Sequence, residues 1–595
     1  MPSVLSCATV RAGGSALVQG NDLNRARGAS MINRRDFLKT AIALPLLTRT
    51  WASRAIEVAQ SSDGPVTSRL FPFVDGHYTI QTVNFAGRDW RLDDYSYVGY
   101  FLGQQSLGTV PCNVVTVSAT GDISQAVQDA INTVGTAGGG IVQIPAGTFV
   151  MGSSVEIPYN NVSIEGAGSG QTLINVPSTY IPTDPQARYE GVFTFGRAIA
   201  DFAHRNEGWV YKGPVVSSVL TVVNRGDLVI TADNASGINV GDWIVLQQYF
   251  WPALVDNNSG FPDHWVPNTD RLFSFSYLRQ VTGVQGSSVF IDAPIPWTLD
   301  PTNNPIVIRL TDGKMKENVG IKGMTFSFAN NINPATGRPS GAAAYFEGVR
   351  NGWAYDVLVN NIPRFGFYSQ TCARITFLNC AVQQAQDYGG NGYGYGYHCY
   401  ATQNALIKRC RGEDTRHNFL SQRALMSMLV MTQCSSVNAT QPDETHHSFE
   451  HAILWDKHTH LNGDSIYGLN RGDESTGAYE TLGSGVIWNF SGDGVKGRLS
   501  HGGEIHFKPS PDGWGIVIGV DGAHTVWDNT YSLSPWVQGD QMLASPDLQV
   551  GPDPTALHNV LYEWLYAGGV QPDSLYETLL TNRIGPPPSD FRGLC

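Results

Sequence analysis

The stretch Asp122-Ile123-Ser124-Gln125-Ala126-Val127-Gln128-Asp129-Ala130-Ile131, leading through Val134 to Gly138-Gly139-Gly140-Ile141-Val142-Gln143-Ile144-Pro145, decides the fold. Asp122 is a good N-cap, and Ile123, Ala126, Val127, Ala130, Ile131 and Val134 repeat at helical spacing on one face. The three glycines end that helix. Short apolar pieces follow at once: Gly147-Thr148-Phe149, Val155-Glu156-Ile157-Pro158 and Val162-Ser163-Ile164-Glu165-Gly166. Strands this short, divided by glycine, proline and asparagine, bury their apolar side chains by winding into a solenoid.

The same rhythm returns from residue 318. Asn318 to Met324 aligns with Asn351 to Val357, Arg374 to Cys380, Asn404 to Cys410 and Met428 to Cys434. Each opening residue precedes an inward apolar residue by six positions, and the steps of 33, 23, 30 and 24 residues fit coils of about two dozen residues with loop insertions. On this pattern Cys380, Cys410 and Cys434 stack inside the solenoid, and the cysteines read as free buried thiols. Residues 215–317 break the rhythm. Leu220-Thr221-Val222-Val223, Asp227-Leu228-Val229-Ile230, Val240 to Leu246 and Ser288 to Asp292 read as antiparallel strands around a long loop, Tyr249 to Asp270.

The run from Gly121 to Phe149 resembles the opening of pectate-lyase-superfamily proteins. The resemblance implies an all-β chain, a right-handed parallel β-helix with an N-terminal capping helix, and carbohydrate chemistry. Around that frame the expected divisions are 1–55, an upstream extension and export signal; 56–115, an aromatic packing segment; 116–214, the first coils; and 215–317, an inserted antiparallel β-subdomain. The main coils with active-site loops take 318–520 and a C-terminal helical cap 521–595, where Pro554 to Ala567 and Asp573 to Arg583 read as helices.

Charged residues make up 15 %, well below the roughly 25 % of ordinary globular proteins. Asn33-Arg34-Arg35-Asp36-Phe37-Leu38-Lys39, followed by the apolar Ala41 to Leu47, reads as a twin-arginine export signal, with Met31 as the start and cleavage near Ala52 or Ala55. The protein is therefore expected in the periplasm or outside the cell. Residues 1–30 and 31–55 carry +2 and +4, so the remaining chain is near −19, which argues against nucleic acid or anionic lipid as partners. The expected partner is a polysaccharide or oligosaccharide, on a monomer or homotrimer with no membrane span. No cofactor is expected.

Chemistry concentrates between 413 and 480. Two coils align on Phe419 and Phe449, which places His417 and His447 one rung apart, with Tyr395 at the equivalent place on the preceding coil. Tyr393 and Tyr395 of the Gly-Tyr repeat offer flat faces for a sugar ring. His451, Asp456, Lys457, His458 and His460 follow, then an insertion holding Arg471, Asp473 and Glu480 as further substrate-binding candidates. β-Elimination from a uronate needs a cation to neutralise the carboxylate and a base for the C5 proton. Arg416 or Lys457 suits the first role, His417 or His447 the second. Hydrolysis needs two carboxyl groups astride the bond, with Glu450 and Asp456, or Asp473 and Glu480, as candidates. His446, His447 and His451 lack a second cluster of matched spacing, so no metal is expected. Neither the superfamily's grouped calcium aspartates nor the paired-aspartate motif of its hydrolases is found. The favoured reading is a polysaccharide lyase; a glycoside hydrolase and a non-catalytic carbohydrate-binding protein are the alternatives, and a phage tailspike fits the export signal poorly.

Overall fold

The structure, a computed structural model, describes residues 66–592 except 86, 181, 183–189, 197–211, 250–273, 311, 312, 314, 391, 424, 448, 469–480, 494–497, 499–503, 508–512, 521–524, 528–548, 551–559 and 564–568. The export signal, most of the long 249–270 loop, and Arg471, Asp473 and Glu480 lie outside the described residues. Among those described, no helix is long and apolar enough to cross a membrane.

The helix spans Ser124–Thr136 and buries Val127, Ala130, Ile131 and Val134 against the first strands. The N-cap is Ile123 rather than Asp122; Asp122, one residue earlier, accepts from the Ser124 amide at 3.0 Å and its hydroxyl at 2.7 Å, an Asx turn leading into the helix. Strands then wind into a parallel β-helix. A coil is exemplified by strands Gln403–Lys408, Arg411–Glu413 and His417–Gln422. The first two kinds of strand join a nineteen-stranded sheet that bends around two faces, and the third kind forms a ten-stranded parallel sheet.

The repeat steps seen in the sequence are the registers of this solenoid. Val319 pairs with Gly352, Trp353 with Thr376, Thr376 with Leu406 and Ala405 with Leu429. The opening residue of each repeat, Asn318, Asn351, Arg374, Asn404, Met428 and then Ala452, has φ between 51° and 57°. A left-handed residue turns the strand at one place on every rung, and asparagine tolerates it best among side-chain residues. Two further columns of left-handed corners run through Asn379, Arg409, Gln433 and Lys457, and through Asn361, Gln384, Asp414, Asn438 and Asn462.

Inside, side chains stack by kind. Phe367, Tyr397 and Phe419 form a ladder with centroid spacings of 5.4 and 4.9 Å. Cys380, Cys410 and Cys434 are buried free thiols beside it, as are Cys372 and Cys399. Cys112, by contrast, is disulfide-bonded, which corrects the expectation of free thiols throughout.

One outer face of the nineteen-stranded sheet is covered. The inserted subdomain is a six-stranded antiparallel sheet built from Lys212–Ser218, Val229–Thr231, Trp243–Tyr249, Ser274–Gln285, Ser288–Ile291 and Ile306–Leu310. Its Phe275, Tyr277 and Trp297 share one apolar cluster with Leu70, Phe71, Trp90 and Tyr95 of the N-terminal segment and with Leu454 and Trp488 of the coils. That segment runs lengthwise: the Arg69 amide donates to Glu563 at 2.9 Å, Arg88 to the Gly513 carbonyl at 2.7 Å, Asn404 to the Tyr97 carbonyl at 2.7 Å, and the Tyr100 hydroxyl reaches Asn318. The C-terminal helix Leu575–Ile584 packs in the same cluster. Val560–Glu563 is a strand pairing with Trp514–Val520, not part of a helix over 554–567; its apolar residues Val560 and Leu561 are both buried in the sheet.

Candidate active site

With that face covered, the outer side of the ten-stranded sheet carries the polar chemistry. One outward column runs Tyr345, Tyr368, His398, Leu420, Glu444, Tyr467 and His506. A second runs Glu347, Gln370, Tyr400 and Gln422. Tyr345 stacks on Tyr368 at 5.3 Å and Tyr368 on His398 at 4.7 Å. The columns are cross-linked: the Tyr345 hydroxyl donates to Glu347 at 2.7 Å, Tyr368 to Gln370 at 3.0 Å, and His398 bonds Gln422 at 3.2 Å.

Tyr395 does pair with His417 on the next coil. The following coil, however, pairs Leu420 with Glu444 and Ser421 with Thr445, a step of 24 that repeats the Cys410 to Cys434 step. The alignment of Phe419 with Phe449 is therefore corrected: position 443 lies over Phe419, and Phe449 packs outside the coil against Phe275 and Trp297. His447 is not one rung from His417. His446 stands between them, its ring 6.2 Å from that of His417 and 4.7 Å from that of His447.

His446 is the centre of the cluster. Its Nδ1 is hydrogen-bonded to Glu444 Oε1, and its backbone amide donates to Glu450 Oε1 at 2.9 Å. Burial pushes the Glu450 carboxyl well above the usual range, against the opposing hydrogen bonds of Ser421 and the His446 and His447 amides. His417 donates from Nδ1 to the Pro442 carbonyl at 2.7 Å and turns Nε2 toward Glu444 at 3.7 Å. Burial drives its pKa down to about 3, so at neutral pH it is an uncharged imidazole. The His446 side chain retains 10 % exposure, and half-buried Tyr400, Gln422 and Arg423 lie on the same wall, with Arg423 Nε on the Tyr400 hydroxyl at 2.8 Å.

The remaining expected residues are placed elsewhere or are already engaged. His451 lies in the nineteen-stranded sheet under the subdomain, bonded to the Tyr277 hydroxyl at 2.8 Å among Phe275 and Trp297, and burial lowers its pKa to about 3. Asp456 accepts from Thr432 at 2.7 Å, from the Ser574 hydroxyl and from the Leu575 amide at 3.0 Å, so it anchors the start of the C-terminal helix. Lys457 forms an ion pair with Asp573. Glu450 and Asp456 thus belong to different walls and do not flank a common bond. Arg416 donates to the Tyr395 hydroxyl at 2.9 Å, and Tyr395 is buried against His417 and Phe365 rather than offered to solvent. The Tyr393 ring lies under two guanidinium groups, Arg338 at 3.6 Å and Arg364 at 4.5 Å. Glu444, His446, Glu347 and His398 were missed as site residues; the 24-residue step between Cys410 and Cys434, carried ten residues further along each coil, would have placed Glu444 over Leu420 and brought His446 to the wall with it.

No known sequence family matches the chain, and no curated protein does. Solved structures similar to it include the tailspike protein gp49 from Pseudomonas phage LKA1, at 13 % identity over 67 % of this chain and 71 % of that one, with a TM-score of 0.35. The exopolygalacturonase of Thermotoga maritima is similar at 11 % identity over 71 % of this chain and 89 % of that one, with a TM-score of 0.33. The catalytic domain of a GH87 alpha-1,3-glucanase in complex with nigerose gives 12 % identity, 70 % and 60 % coverage, and a TM-score of 0.33. Likeness of this degree says nothing of activity.

Proposed function

We propose that the chain is an exported polysaccharide-cleaving enzyme, a glycoside hydrolase ahead of a lyase, working on the outer wall of the ten-stranded sheet. The observation that carries this reading is the pair of carboxyl groups on either side of His446, of which Glu450 has its pKa raised by burial. Hydrolysis of a glycosidic bond needs one protonated carboxyl and one carboxylate partner. Glu450 supplies the first and Glu444 the second, while Tyr400, Gln422 and Arg423 are positioned to bind sugar hydroxyls beside them.

Elimination is the second reading. The Glu444 bond to His446 Nδ1 leaves Nε2 as the nitrogen that would take a C5 proton. His417 is tied through Nδ1 to the Pro442 carbonyl. Incubation with a panel of neutral and uronate polysaccharides separates the two: new reducing ends without ultraviolet absorbance mark hydrolysis, and absorbance from an unsaturated product marks elimination. Binding without either product marks a carbohydrate-binding protein.

A further inference from the structure

The strand Asp443–Thr445 has two sides. Glu444 faces the outer wall, while Asp443 takes the lumen position that Phe419 holds one coil earlier. There Asp443 Oδ2 lies 2.9 Å from Nε2 of His458 and 3.0 Å from Nε2 of His460. All three side chains are at most 1 % exposed. His458 and His460 are alternate residues of one extended segment, so both project to the same side, here the lumen. Asp443 Oδ1 is held by the Phe419 amide at 3.0 Å and the Ser436 hydroxyl at 3.0 Å. The same hydroxyl bonds Asp464, which also accepts from Asn418 at 3.1 Å.

Two carboxyl groups therefore share the interior of one coil, and among the described residues no Lys or Arg pairs with either. A carboxylate taken out of water costs several kcal/mol unless its charge is met. A divalent cation would supply that charge. Its geometry also fits: two cis ligands at about 2.1 Å from an octahedral ion are separated by about 3.0 Å, and the observed Oδ2 to Nε2 spacings are 2.9 and 3.0 Å. The three donor atoms lie within 4.8 Å of one another.

We propose that Asp443, His458 and His460 bind a divalent first-row transition ion inside the coil. Two imidazoles and one carboxylate form one face of its coordination shell, and the second-shell bonds from Phe419 and Ser436 fix the carboxylate. The ion ties strand Asp443–Thr445 to strand Thr459–Leu461 across the lumen, and so holds the strand that presents Glu444. This replaces the expectation that no metal is bound. It is independent of whether the outer wall hydrolyses, eliminates or only binds sugar.

The test uses the full chain, purified without a histidine tag. Elemental analysis should find about one ion per chain, and X-ray absorption at that metal's edge should count two imidazoles. Chelation should lower Tm, and added Zn2+ should restore it; Co2+ should give visible d–d bands. The His458→Gln/His460→Gln double variant should lose the ion. Metal below about a tenth of an equivalent, with no Tm response to Zn2+, overturns the proposal. So does a bound ion whose shell lacks two imidazoles, or one retained by a folded double variant. Where that variant does not fold, the absorption measurement on the unmodified chain decides.

Discussion

The backbone amide of His446 donates to Glu450 Oε1 at 2.9 Å, while Oε2 of the same carboxyl has no hydrogen-bond partner among the described residues. Burial raises the pKa of this half-satisfied carboxyl, and this sets the first prediction. Glu450→Gln imitates the protonated form, so folding should survive while turnover falls by at least about a hundredfold. Because the folded carboxyl has a raised pKa, its contribution to stability is present at low pH and is lost as the pH rises through that value. Glu450→Gln should therefore be more stable than the parent in alkaline buffer and no different in acid. Paired melting curves check the sign, and product analysis checks the loss.

Glu444→Gln removes the carboxylate from His446 Nδ1 and should also abolish turnover, with oligosaccharide binding retained through the neighbouring Tyr400, Gln422 and Arg423. Isothermal titration beside the activity assay distinguishes this from misfolding. Unchanged turnover would remove Glu444 from the site.

Asp456 is a stability residue. Burial raises its pKa to about 6 from 3.8, so its contribution is full below pH 3.8 and is lost as the pH rises through 6. That loss is worth about 3 kcal/mol, and Asp456→Asn should not show it. Asp456→Ala should cost about 1–2 kcal/mol in acid, by freeing the Leu575 amide and the Ser574 hydroxyl at the start of the helix Leu575–Ile584, and less as the pH rises through 6. Neither change should move KM. Chemical denaturation across pH 4 to 8 reads both effects.

His451 acts in the opposite direction. With a folded pKa of about 3, below the ordinary 6.5, it stabilises fully above pH 6.5 and loses that contribution as the pH falls toward 3. His451→Phe should blunt acid unfolding, cost about 1–2 kcal/mol at neutral pH through the stranded Tyr277 hydroxyl, and leave turnover intact. A large loss of activity in a folded variant would return His451 to the site.

Gln384 sits exposed at φ 58°, in the corner column where Asn361, Asn438 and Asn462 hold the same conformation. Gln384→Asn should raise stability by about 0.5 kcal/mol, seen as a small increase in Tm.

Much of this architecture was legible because a solenoid writes its period into the chain. Asn318, Asn351, Arg374, Asn404 and Met428 marked the corners, and their spacing gave the registers later found between strands. The site was harder to read. Phe419 and Phe449 look alike in sequence, but one fills the lumen and the other faces the subdomain, since an aromatic ring is equally at home on either side of a covered sheet. That ambiguity shifted the register by six residues and promoted His447 over His446. His451 and Asp456 were misjudged for a different reason. Their partners, Tyr277 and Ser574, are 174 and 118 residues away, and nothing local announces which outer face an insertion will cover.

The N-terminal segment touches Asn318 at one extreme and Glu563 at the other. Stacked repeats on their own fray from their ends in steps, each coil answering only to its neighbours. A splint laid along so many of them couples remote coils, so loosening the last turn also strains the grip on the first. Heating should take this molecule apart in a single sharp event, as it does a small globular domain, and trimming the chain to residue 116 should split that event into several.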